Sequence, residues 1–153
     1  MYQVRGLDPR LFEPLFALSD EALAAQGARR ILADLDGSYP CRVSLLNVRA
    51  GEELLLVNYE HRPETHSPYR ATGPIFVSRN ARGYHRDKVP LLLRESLVSL
   101  RAYDAQAFMV AAEVVNGSEV ANQVERYLGR SDVDHVDAHF ARRGCFAARF
   151  ERP

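Results

Sequence analysis

The side chains here with the types and spacing for chemistry are arginines set beside cysteine or tyrosine, and one histidine near a thiol. Arg42 lies in "PCRV", Arg70 in "PYRA" and Arg101 in "LRAYD". A guanidinium is a planar fork that meets carboxylate or phosphate through paired hydrogen bonds, and a neighbouring tyrosine adds a hydroxyl or a stacking face. Arg42, Arg70 and Arg101 are therefore candidate anion contacts, with Tyr69 and Tyr103 shaping the pocket. The opposing reading is structural, with the arginines tied to Asp104, Glu60 or backbone carbonyls so that they hold long loops in place. A ligand site requires the three to converge on one concave pocket.

His139 and Cys145 are the candidates for acid/base or nucleophilic chemistry, and their relation depends on a hairpin. "VDAHFA" (136–141) and "CFAARF" (145–150) each alternate apolar and polar residues, as half-buried strands do. Directly opposed side chains in an antiparallel pair point the same way, so the apolar sets must match. A three-residue loop, Arg142-Arg143-Gly144, matches them by placing Phe140 opposite Phe146 and Val136 opposite Phe150. Gly144 then takes the left-handed position such loops need. That register also sets Asp137 opposite Arg149 and His135 opposite Glu151. His139 and Cys145 become diagonal neighbours, about 7–8 Å apart along the backbone. A thiolate needs such a nearby base, although a cysteine beside glycine also serves as a small packing residue.

The same strand offers H-x-D-x-H at 135–139. On a strand the two histidines lie about 13 Å apart and cannot share an ion. No C-x-x-C or H-E-x-x-H occurs, so no metal site is expected. No glycine-rich phosphate loop or G-x-S-x-G elbow is present, and no cofactor can be named.

Charge narrows the field further. The 153 residues carry a formal net charge of zero, which argues against a nucleic-acid domain that binds through bulk electrostatics. Within residues 61–88, however, Arg62, Arg70, Arg79, Arg82, Arg86 and Lys88 face only Glu64 and Asp87. This is either a solvated basic face or a site for an anionic small molecule or acidic partner. No apolar run approaches twenty residues and no charged-then-apolar leader follows Met1. Those features predict a cytoplasmic protein without membrane association, with Cys41 and Cys145 as free thiols.

The elements that must position these residues read as a mixture. Asp8-Pro9 starts a short helical piece and Pro14 prevents a long one, while Ser19 caps "DEALAAQ" and Gly27 stops it. Runs at 29–34, 41–45, 53–59 and 74–78 have β composition, and 89–97 is ambiguous between helix and extended chain. "LVSLRAY" and "AFMVAAEVV" form a hairpin through Asp104-Ala105-Gln106. "SEVANQVERYL" is an amphipathic helix with Val120, Val124 and Leu128 on one side, capped by Asn116 or Ser118 and ended by Gly129. The connection between 60 and 73 is long for a hairpin, and its prolines and rings predict an ordered functional or architectural loop.

From residue 20 to the C-terminus, the strings "PCRVSL", "GEELLLVNYEHRP", "SPYRATGPIFV", "LRAYD", "VVNG" and "GCFAARF" resemble, in this order, a family of small bacterial proteins filed as domain of unknown function 1203. The resemblance implies a bacterial single-domain protein and carries over no catalytic residue.

The expectation is thus one α+β domain over residues 1–153, a mainly antiparallel sheet of about five to seven strands with a few short helices on one face. Its open face and the loops at 60–73 and 79–90 form the functional edge. The leading function is binding of an anionic or polar small molecule, with enzymatic activity left open. The alternative is a non-enzymatic interaction module or homodimer.

Overall fold

The computed structural model describes residues 1–35 and 38–153. The chain opens with β1 (Gln3–Arg5) and a 3₁₀ turn at Pro9–Leu11, where the Asp8 carboxylate accepts from the Arg10 N–H. Pro14 confines α1 to Glu13–Phe16, and α2 (Asp20–Ala25) begins where Ser19 Oγ accepts from the Ala22 N–H at 3.1 Å. β2 (Arg29–Leu32), β3 (Glu53–Arg62) and β4 (Ala71–Ser78) follow, then β5 (His85–Arg86) and α3 (Leu91–Arg94). The chain finishes with β6 (Leu97–Tyr103), β7 (Met109–Asn116), α4 (Val120–Leu128), β8 (His135–Phe140) and β9 (Phe146–Glu151).

The α+β class holds, but the strands form two sheets rather than one. A six-stranded sheet runs β5-β1-β9-β8-β6-β7, and a three-stranded sheet runs β2-β3-β4. Every strand pair is antiparallel. α4 covers the apolar face of the larger sheet, where Val120, Val124 and Leu128 pack with Val98, Leu100, Val136, Ala148 and Phe150. Each such aliphatic side chain contributes about 1.5–3 kcal/mol on full burial. The helix is held at its start by a capping box between Asn116 and Glu119. Over the smaller sheet, Phe12, Phe16 and Leu23 pack on Leu55, Val57, Ile75 and Val77.

Two expectations need correction. The 41–45 run forms no strand: it has only isolated bridges, Pro40 with Asn47 and Cys41 with Phe76, and it turns at Leu45, whose φ is 53°. Its backbone is held by three other segments, with Leu7 N–H donating to Arg42 O, Tyr84 N–H to Val43 O and Arg42 N–H to Phe76 O. The second concerns the β8–β9 hairpin. Its register is as expected from His135↔Glu151 to Ala138↔Ala148, and Gly144 sits at φ +80°. A bulge then pairs His139, not Phe140, with Phe146. The extra residue turns Phe146 to the opposite face, where its ring stacks on His61 of β3 at 5.1 Å.

That opposite face, expected to be open, is covered along β8 and β9 by the end of β3 and the chain that follows it. Asp137 and His139 are 0% and 1% exposed, so the polar face of the hairpin is the junction between the two sheets.

Candidate functional site

The three arginines singled out by the sequence meet three separate sets of partners. Arg42 is buried; its Nε donates to the Phe146 carbonyl at 2.6 Å and its Nη1 to the Pro40 carbonyl. Burial lowers the pKa of its guanidinium to about 10, still charged at neutral pH. Arg70 is exposed and pairs with Glu60 at 2.5 Å. Arg101, half-buried on β6, donates from Nε to Ser99 Oγ at 3.3 Å. Asp104 serves a turn instead, accepting from the Gln106 and Phe108 N–H groups at 2.9 Å each. Arg42 and Arg70 therefore have the architectural arrangement. The Arg70–Glu60 pair is solvent-exposed, and exposed pairs contribute about 0–1 kcal/mol. Arg70→Ala is accordingly expected to leave the free energy of unfolding in urea nearly unchanged; a drop of several kcal/mol would show that the pair anchors the 63–70 connection.

Tyr69 and Tyr103 do come together, in a T-shaped contact with centroids 6.1 Å apart. They form part of a clasp between two loops. The 63–70 connection docks on the 104–108 turn, with Ser67 Oγ donating to the Ala107 carbonyl at 2.8 Å and Tyr69 also packing on Phe108. Ala107 has φ +66°, unusual for a residue with a side chain, and its carbonyl accepts from both Ser67 and Arg62.

His139 and Cys145 point to different partners. His139 Nδ1–H donates to the Gly144 carbonyl at 3.0 Å, leaving Nε2 as a buried lone pair with no partner among the described residues. Its ring meets His61 at 5.2 Å and Phe146 at 5.8 Å. Burial pushes the His139 pKa down to about 4, with the Gly144 carbonyl opposing and the charges of Arg101 and His61 adding to the shift. Cys145 Sγ lies 3.8 Å from the Arg143 carbonyl, and Cys41 Sγ accepts from the Ser78 N–H at 3.3 Å. Both thiols are free, each with a backbone partner.

The residue that sequence reasoning missed is Arg62, read there as one member of a surface charge run. It is 1% exposed and its guanidinium lies 3.5 Å from the centroid of Tyr103. Arg62 Nη1 donates to Asp137 Oδ2 at 3.1 Å and to His135 Nε2 at 2.9 Å. His135 therefore carries its proton on Nδ1 and donates it toward Asp134 Oδ2, also at 2.9 Å. Arg149 completes the set, donating from Nε to Asp137 Oδ1 at 2.7 Å. Burial alone would push the Asp137 carboxyl up, but Arg149 and Arg62 together hold it below the ordinary carboxylate value. The cross-strand Asp137–Arg149 pair was legible; its burial beneath β3 was not.

The remaining basic residues of 61–88 divide. Arg79 pairs with Glu53 at 2.8 Å. Arg82 and Arg86, with Arg49, instead line an open groove of about 830 Å³ between the 44–52 and 78–86 segments. Its walls are brought together by Gly6, whose N–H donates to Tyr84 O at 2.8 Å. A Cβ on Gly6 would lie 1.9 Å from the Val43 carbonyl oxygen, so only glycine allows this approach. Among the described residues no carboxylate forms an ion pair with Arg49, Arg82 or Arg86. The Arg86 guanidinium lies 5.8 Å from the Tyr84 ring, and Glu52 is the groove's acidic residue.

Among the described residues no group of three or more His, Cys, Asp or Glu is placed to hold a metal ion, and no helix is long and apolar enough to cross a membrane. These features describe a small α+β protein with a buried Arg–Asp–His junction and a separate basic groove. Over residues 38–152 the chain matches the family described as "Protein of unknown function (DUF1203)", and it belongs to that family. No curated protein and no solved structure matches it.

Proposed function

We propose that the protein binds an anionic small molecule in the groove between residues 44–52 and 78–86, with Arg49, Arg82 and Arg86 as its contacts. The observation that carries this reading is three arginines lining one concave surface, with no carboxylate among the described residues in an ion pair with any of them. With three arginines against one carboxylate, Glu52, the groove has an excess of positive charge, which concentrates anions and speeds their arrival. Each such guanidinium can grip a carboxylate or phosphate through two hydrogen bonds. Asn47 and Asn80, also on the groove wall, offer amide donors and acceptors for the polar remainder of the ligand. The 79–90 loop was expected to be part of the functional edge; in this reading the arginines that serve it are Arg49, Arg82 and Arg86.

The test is thermal unfolding against a panel of phosphorylated and carboxylate metabolites. A ligand at a hundred times its Kd adds about 2.7 kcal/mol of stability. The shift is expected in the wild type and in Arg101→Ala, to weaken with added salt, and to vanish in a folded Arg82→Ala/Arg86→Ala variant. A stabilising anion whose effect persists in the double variant places the site elsewhere, and a panel with no stabilising anion overturns the reading.

A further inference from the structure

The walls of the basic groove combine two kinds of chemistry, and together they narrow what can lie in it. Three guanidiniums against the single carboxylate of Glu52 leave an excess of two positive charges among the described lining residues. Asp87, next to Arg86 in the chain, is not one of those residues, and His85 is engaged elsewhere, its Nε2 meeting Gln3 Oε1 at 2.7 Å. One carboxylate balances half of that excess. A phosphate monoester carries about −1.5 to −2 near neutral pH and concentrates it on three acceptor oxygens.

The chain between Arg82 and Arg86 suits so compact a group. Among the described residues, the Arg82 and Gly83 N–H groups make no backbone hydrogen bond. A Cβ placed on Gly83 would meet nothing within 4 Å, so a ligand can approach the main chain there. An oxyanion accepts from free backbone N–H groups as well as from guanidiniums.

The other wall residues are suited to hydroxyl groups. The Ser44 and Ser78 hydroxyls and the Asn80 amide line the groove without a partner among the described residues. Glu52, whose Oε2 accepts from the Arg49 N–H at 3.4 Å, has acceptor capacity left for hydroxyl donors and repels a second anionic group. Tyr84 offers a nucleobase little free ring, because it packs on the core, donates its hydroxyl to Lys88 O at 3.0 Å and has the Arg86 guanidinium 5.8 Å from its centroid. At about 830 Å³ the groove has room for more than a phosphate ion.

Resting on the anion-binding reading of this groove, we propose that its ligand is the monophosphate of a small polyhydroxy compound, a sugar phosphate. The phosphate lies against the Arg82–Arg86 segment and the hydroxyl groups meet Glu52, Asn80 and the two serines.

The test is calorimetric titration with the terminal phosphates of glucose, ribose and glycerol, set against inorganic phosphate, glucose, malate and adenosine monophosphate. At least one of the three phosphate esters is expected to bind about tenfold or more tightly than every comparison compound. Glu52 and Asn80 are exposed, so Glu52→Ala/Asn80→Ala is expected to keep the wild-type circular dichroism. In that variant inorganic phosphate should bind at least as well as before, since a negative charge has gone, while the advantage of the ester should fall at least about fivefold. An ester preference that is absent, or that survives Glu52→Ala/Asn80→Ala, overturns the proposal. If malate or adenosine monophosphate binds best and loses its binding in Arg82→Ala/Arg86→Ala, the groove still binds anions but the sugar phosphate assignment is overturned. If no anion binds, both readings fall.

Discussion

Replacing Asp137 with alanine is expected to lower the free energy of unfolding by about 3–5 kcal/mol, the usual loss when one partner of a buried ion pair is removed. Asp137 is 0% exposed and receives hydrogen bonds from Arg62 and Arg149. The two arginines are not equivalent once it is gone. The Arg149 side chain is 29% exposed and can turn to water, whereas Arg62 is 1% exposed, stacked on Tyr103 and held by the Ala107 carbonyl. The loss therefore comes mainly from Arg62, left buried at the sheet junction with only its longer pair to Glu64, at 3.7 Å, to balance its charge. Against a typical total stability of about 5–15 kcal/mol it is large. Urea unfolding of Asp137→Ala, Arg62→Leu and the double variant measures it. The double variant should recover part of the loss, since the poorly balanced charge leaves with its partner. A single-variant loss below about 1 kcal/mol would show that the clasp opens and rehydrates Arg62 at little cost.

The second large effect is with pH. Burial holds the His139 pKa at about 4 against an ordinary value of 6.5, so the folded protein resists a proton that the unfolded chain takes up. Stability is undiminished by this group above pH 6.5, falls as the pH drops toward about 4, and falls no further below that. The gap is worth about 3 kcal/mol. His61, whose pKa is also lowered by burial, adds to the loss in the same direction. The groups facing His139 include Arg101, which opposes a second positive charge, and Asp137, which favours it but is committed to Arg62 and Arg149. Asp137 is held below the ordinary carboxylate value of 3.8, so its own contribution is lost only at more acidic pH. Urea titrations between pH 7 and pH 4 should show the decline, and His139→Asn, which never titrates, should flatten it. An unchanged slope in His139→Asn would assign the acid sensitivity to other groups.

Features set by neighbouring residues are legible in the sequence. Ser19 caps α2 and Asn116 caps the start of the α4 segment, because a side-chain oxygen needs only an N–H two or three residues ahead. The β8–β9 register from His135 to Ala138 follows from alternation and loop length, both local. The bulge at His139 does not, because it is decided by β3: Phe146 gains a stack on His61, a residue from the other sheet. Nor could the strand-like run at 41–45 show that three distant segments would take its backbone hydrogen bonds.

The candidate site divides the same way. The basic surplus of residues 61–88 is a property of the sequence, but which of its arginines are claimed by carboxylates is not. Glu60 and Glu53 claim Arg70 and Arg79 across a strand pair. Arg62 is buried by Asp137 and Ala107, 75 and 45 positions away in the chain. Arg82 and Arg86 line one groove with Arg49 because two distant segments meet there, an approach that Gly6 permits. The α+β class, the caps, the hairpin turns and the excess of positive charge each depend on residues a few positions apart, so the order of amino acids is enough to dictate them. Where that charge is neutralised depends on the assembled sheets, because a guanidinium reads the same in sequence whether it meets water, a carboxylate or a ring.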